Sequence, residues 1–290
     1  MVQSLWQCPR KRPLALGAGF HNNIGVNRRT LCAMGLVLCL CGTTRAQSAN
    51  PAAGKMESLA HLGSVEKVYV SLPVVPPVGG LVLVHDWWGL TGALAKTADA
   101  LAGEGYIVVA VDFYDRKVPK TTAEAQVSMS EINRPGALRI IHSAIRLLHE
   151  DRRFQVEKIG IIGWSMGAGL ALESAIGNPN IDACVLYYGP VVLDEDRLRQ
   201  LHGPVLGIYG TRDTWITPEI TGSFRKALRA AGVQFEFLEL DAPHMFATPA
   251  SADYDAKATA RARLRVSSFL KKNVFVVIAP PVRLPPGRGR

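Results

Sequence analysis

A serine lies between two glycines in Gly163-Trp164-Ser165-Met166-Gly167, where the apolar run "KIGIIGW" meets the small-residue stretch "MGAGLALESA". A serine hydroxyl held out at such a turn can attack a carbonyl, but a neutral hydroxyl is a weak nucleophile. It needs a base within hydrogen-bond reach and an acid to orient that base. The flanking glycines have a physical reason. The turn holds the serine backbone in a strained conformation, and side chains on either flank would collide with the neighbouring strand or helix. For the base, His244 in "LDAPHMF" follows the last of the apolar runs. For the acid, Asp213 in "GIYGTRD" leaves a strand at a Gly-Thr turn. Asp241 is too close to His244 in sequence. Asp194, Glu195 and Asp196 read instead as the start of a helix, where the macrodipole favours negative charge.

Attack on a carbonyl creates an oxyanion that needs hydrogen-bond donors, and each donor is worth about 10²–10³ in rate. The segment "LVLVHDWWGL", residues 81–90, leaves a strand and enters a loop. The backbone N–H groups of Trp87 and Met166 are the expected donors. Trp88 beside Trp87 either walls a substrate pocket or packs over the loop. Asp86 has either a polar role at the site or a structural one in tying the loop down.

These residues need a frame. Apolar runs at 65–72, 79–86, 106–114, 158–165, 181–189, 204–210 and 235–241 read as strands. Most are continuous rather than alternating, as in strands of a parallel sheet buried on both faces. Helical patterns lie at 91–103, 136–150, 167–176, 218–231 and 252–272. Thr217-Pro218 starts one of them and Gly232 ends it. Alternating strand and helix predicts a three-layer α/β sandwich with a mostly parallel central sheet.

On that frame the serine motif matches the strand-turn-helix elbow of the α/β-hydrolases, whose chain order is Ser, acid, His. His142, His149 and His202 fall outside that order and His244 fits it. A dinucleotide or P-loop fold is a weaker rival, since neither G-x-G-x-x-G nor G-K-[ST] occurs. The ordered set "HDWWGL", "VAVDFY", "GIIGWSMGAGLAL", "YYG", "GTRD" and "PHMF", spread over about residues 65–273, resembles the dienelactone hydrolase family. The resemblance implies an α/β-hydrolase that cleaves an ester or lactone through a covalent acyl-enzyme. The chain departs from the family pattern in two places. Ser165 stands where characterised members carry cysteine, and Asp86 stands where they carry the glutamate implicated in forming the thiolate.

Composition narrows the alternatives. With 48% hydrophobic and 20% charged residues the chain has ordinary globular character. Its formal charge of +9 comes from residues 1–46 and 274–290, which hold Lys and Arg but no acid, and the rest is formally neutral. No basic stripe marks a nucleic-acid partner. Arg28 and Arg29 precede "TLCAMGLVLCLCG" and then "TRAQ", the order of an export signal with cleavage after Ala46. That apolar run is too short for a stable membrane span. The expected organisation is a signal over 1–46, a linker over 47–64, the hydrolase domain over 65–273 and a disordered tail over 274–290. Removing the signal leaves Cys184 alone, a buried core thiol, which excludes an intrachain disulfide framework. With no H-E-x-x-H and no Cys/His cluster, neither metal nor cofactor is expected. The expected partner is a small ester or lactone. Two other readings fit the same residues: a cutinase-like polyesterase, or a catalytically idle binding module on the same fold.

Overall fold

The computed structural model describes residues 53–59 and 66–276. Within them, eight strands form one sheet: β1 (Lys55–Ser58), β2 (Lys67–Ser71), β3 (Gly79–Val84), β4 (Tyr106–Val111), β5 (Ile159–Trp164), β6 (Ala183–Tyr187), β7 (Val205–Gly210) and β8 (Phe235–Leu240). The spatial order is β1-β2-β4-β3-β5-β6-β7-β8. β2 runs antiparallel to both β1 and β4, and every other pairing is parallel. β3, β4, β6 and β7 are buried along their whole length. This is why their sequences read as unbroken apolar runs: in a parallel sheet covered on both faces no position alternates to solvent.

The helices are α1 (Gly92–Gly103), α2 (Thr122–Ser130), α3 (Arg134–Glu150), α4 (Met166–Ala175), α5 (Glu195–Leu198), α6 (Pro218–Ala230) and α7 (Ala256–Asn273). Side-chain contacts sort most of them into two layers. Beyond the end of α1, Glu104 accepts from Ser267 of α7 at 2.7 Å. Glu173 of α4 pairs with Arg134 of α3 and with Arg197 of α5. A sheet between two helix groups is the three-layer α/β sandwich that the alternating pattern predicts.

Caps set several boundaries that periodicity misplaces. Asn133 accepts from Gly136 N–H and starts α3 two residues early, with Pro135 in its first turn. Asp255 accepts from Ala258 N–H and starts α7 at Ala256 rather than at 252. Asp194 accepts from Arg197 N–H, so the acidic cluster does cap a helix.

Two elements have no apolar signal. β1, "KMES", lies inside the expected linker and is held by backbone pairing to β2. α2, inside 115–135, buries only Ala125. At the far end the fold runs past the expected limit of 273. Val274 is fully buried, and Val276 N–H donates to the carbonyl of Val78 at 2.8 Å. The proposed signal, and the tail from 277 onward, lie outside the described residues.

Candidate active site

Four strands deliver the site at their carboxyl ends: Ser165 directly after β5, the 85–90 loop after β3, Asp213 after β7 and His244 after β8. Ser165 has φ 48° and ψ −117°, a conformation costly for a side-chain-bearing residue. Its N–H donates to the carbonyl of Tyr187 at 2.9 Å, which pins the turn to β6. The flanking glycines are sterically required. A Cβ on Gly163 would lie 2.3 Å from Gly167 O, and one on Gly167 would lie 2.3 Å from His85 O. The second contact also shows that the start of α4 packs directly against the 85–90 loop.

The three residues expected to act together do converge. Ser165 Oγ lies 3.1 Å from His244 Nε2, and His244 Nδ1 lies 2.7 Å from Asp213 Oδ2. The Asp213 side chain is wholly buried. Its other oxygen accepts from the N–H groups of Trp215 and Ile216 at 2.8 and 3.0 Å. Those two bonds fix the carboxylate. The carboxylate in turn holds the proton on His244 Nδ1 and leaves Nε2 as an acceptor facing the serine. Asp241, by contrast, sits at the surface on Arg212.

Trp215 stacks on the His244 ring at 5.0 Å, and Trp87 meets Trp215 edge-on at 6.1 Å. Trp88 packs edge-on against Trp87 at 5.8 Å. Both residues are 92% buried, being 8% exposed each, so they pack over the site rather than stand in solvent. Nothing in the sequence patterns singled out Trp215. Its position two residues after Asp213, in the turn whose amides hold that carboxylate, was the available signal. Met166 is the first residue of α4, so its N–H has no partner within the helix.

Asp86 ties two loops together. Its Oδ1 accepts from Trp88 N–H at 2.8 Å and its Oδ2 accepts from the Thr248 hydroxyl at 2.6 Å. With its proton committed to Asp86, Thr248 Oγ accepts from the Tyr188 hydroxyl at 3.1 Å. Burial pushes the Asp86 carboxyl up to about 6, with the Thr248 and Trp88 bonds and the nearby His244 resisting that rise. No sequence pattern singles out neighbouring His85. Burial pushes it down to about 4, so the ring is neutral. Its Nε2 accepts from Phe113 N–H at 3.1 Å, which places the proton on Nδ1, 2.6 Å from the Asp86 carbonyl. His85 therefore fastens this loop to the end of β4. Cys184 is buried and unpaired, with its thiol pushed up by desolvation.

A cavity of about 250 Å³ lies behind these residues, between α1 and α7. Asp86 and Thr248 form part of its wall, and neither Ser165 nor His244 lines it. It is therefore not the cleft in which a carbonyl would meet the serine. Among the described residues no three His, Cys, Asp or Glu side chains gather as a metal site requires. No helix there is long and apolar enough to cross a membrane.

The profile of the dienelactone hydrolase family matches residues 67–274, well over half of the chain. The chain belongs to the dienelactone hydrolase family. A provisionally named carboxymethylenebutenolidase from Aquifex aeolicus is 26% identical over 228 residues, covering 75% of this chain and 98% of that protein. Among solved structures, a dienelactone hydrolase from Anabaena variabilis superposes with a TM-score of 0.61 at 20% identity, over 78% of this chain and all of that one. A dienelactone hydrolase-like promiscuous phosphotriesterase from metagenomic libraries superposes with a TM-score of 0.66 at 19% identity, over 77% and 98%. At those identities the superpositions establish the fold. Family membership and the named relatives make this protein a carboxylic ester hydrolase of dienelactone-hydrolase type.

Proposed function

We propose that the protein is an exported serine hydrolase that cleaves a small carboxylic ester or lactone through an acyl-Ser165 intermediate. The observation that carries this reading is the continuous chain from Ser165 Oγ through His244 to Asp213, with contacts of 3.1 and 2.7 Å. In the acylation step Oγ attacks the substrate carbonyl carbon while His244 Nε2 takes the hydroxyl proton. Asp213 stabilises the imidazolium that forms. The tetrahedral intermediate collapses, and the Nε2 proton goes to the departing alkoxide. Water, activated by the same nitrogen, then attacks the acyl-serine, and the acid leaves with Ser165 regenerated.

The N–H groups of Trp87 and Met166 are assigned to the oxyanion. The Gly167 contact with His85 O, which brings the 85–90 loop against the start of α4, supports that assignment. Trp88 and Trp215 are assigned to the apolar surroundings of the reacting carbonyl. Export rests on Arg28, Arg29, the apolar run 30–42 and the small residues Thr44 and Ala46, all outside the family match.

Protein beginning at Gln47 should hydrolyse short p-nitrophenyl esters or a dienelactone, and Ser165→Ala should abolish the turnover. A fluorophosphonate probe should label the wild type at Ser165. Failure of both turnover and labelling would overturn the catalytic reading in favour of an idle binding module. Export is checked separately, by the N-terminal mass of protein recovered from a secreting host: an N-terminus still carrying residues 1–46 would refute it.

A further inference from the structure

Two loops must keep a fixed separation for the proposed chemistry. One carries Trp87 N–H and the other carries His244. They are joined by a hydrogen bond between residues 162 positions apart in sequence, from Thr248 Oγ to Asp86 Oδ2. From Asp86 the connection continues to Trp88 N–H on one loop. From Thr248 it continues to the Tyr188 hydroxyl, and the Tyr188 ring meets His244 edge-on at 5.2 Å. Close packing does not enforce this spacing on the inner side. Asp86, Gly89, Ala247, Thr248 and Pro249 all border the 250 Å³ cavity between α1 and α7. Where side chains face a void, dispersion contacts cannot hold a loop at a chosen distance, and directional bonds must. A buried carboxylate held by an amide and a hydroxyl, as Asp86 is, also carries a desolvation cost that an apolar residue would avoid. A functional reason for retaining it is then expected.

We propose that Asp86 and Thr248 are positioning residues, forming a hydrogen-bonded strut across one end of the cavity that sets the Trp87 donor and the His244 base at the distance the transition state needs. Neither touches the reacting atoms. The strut acts through Trp88 N–H on the donor side, and through the 244–248 loop and the Tyr188 ring on the base side. This inference rests on the Ser165–His244–Asp213 reading above. It assigns the Asp86 position a role that does not involve activating the nucleophile.

The test is Thr248→Val, which keeps the shape and removes the hydroxyl, set beside Thr248→Ser, which restores the hydroxyl and removes the methyl. On p-nitrophenyl acetate, Thr248→Val should lower kcat by about tenfold to a hundredfold with KM within about twofold, the signature of misplaced groups. Thr248→Ser should recover most of that loss. Hydrogen exchange gives a readout independent of turnover: amides of residues 86–89 should exchange at least about tenfold faster in Thr248→Val and near the wild-type rate in Thr248→Ser. A kcat unchanged in Thr248→Val would overturn the strut, as would a loss in Thr248→Ser equal to that in Thr248→Val, which would show that the hydroxyl is not what positions the loops. Unchanged exchange at residues 86–89 would overturn it as well. An active wild type with unaffected variants removes the strut alone. A wild type that neither turns over nor labels at Ser165 removes the catalytic reading and the strut with it.

Discussion

Replacing Asp86 with asparagine should make the protein more stable at alkaline pH. Burial raises the Asp86 carboxyl from the usual carboxylate range to about 6 in the fold. A carboxyl whose folded pKa is raised binds its proton more tightly when folded. Its contribution to stability is therefore greatest at low pH and is lost as pH climbs through that range. A carboxyl held that far above its usual range corresponds to roughly 3 kcal/mol of destabilisation at pH 8. Asparagine removes the charge, and its Oδ1 can still accept from Trp88 N–H. Its amide would donate to Thr248 Oγ, however, which leaves the Thr248 proton without its present acceptor at a cost of about 1 kcal/mol. The expected net gain at pH 8 is about 2 kcal/mol, or roughly 4–8 °C in Tm for a domain of this size. Near pH 4 the advantage should vanish, because wild-type Asp86 is then protonated. Neutral His85, held down to about 4, works in the opposite sense and loses stability as pH falls from the ordinary histidine range. The wild type should therefore be nearly flat between pH 6.5 and 4, while Asp86→Asn declines. Urea denaturation at pH 4, 6 and 8 reads all of this. An Asp86→Asn variant less stable than wild type at pH 8, or a difference that does not change with pH, would refute the reasoning.

Ser165 holds a positive φ of 48°, so Ser165→Gly should be about 1–3 kcal/mol more stable than Ser165→Ala; equal urea midpoints would contradict strain at the elbow. Gly167→Ala should destabilise by about 1–3 kcal/mol, because its Cβ would press on the backbone of Val84 and His85. The same shift should displace the 85–90 loop and reduce kcat on p-nitrophenyl acetate, and an unaltered rate would show that the loop absorbs it. Trp215→Ala removes the ring stacked on His244 and should lower kcat/KM by about tenfold through loss of imidazole placement. That effect should be seen without loss of the overall fold by circular dichroism.

The frame was legible because burial on both faces leaves a mark on composition. β3, β4 and β7 carry unbroken apolar runs, and the glycines around Ser165 mark a turn where backbones come within contact distance. β1 left no such mark. Its four residues are held by main-chain pairing, which places no demand on side-chain type. α2 was hidden for a related reason, since it covers the fold with a single buried side chain. Helix starts at Arg134 and Ala256 were set by Asn133 and Asp255, whose caps override the apolar period.

The sequence by itself determined the elbow, the order of Ser165, Asp213 and His244 along the chain, and the strands that would carry them. Those follow from local chemistry: glycine tolerance at a strained turn, and apolar runs that end where polar residues begin. Only the tertiary structure decided that Asp86 binds Thr248, that Trp215 lies on the His244 ring, and that His85 is a neutral fastener to the end of β4. Each of those contacts joins segments 28 or more residues apart in the chain. Which partner a buried polar group finds depends on where two distant loops meet, and that meeting point is fixed by the register of the whole sheet.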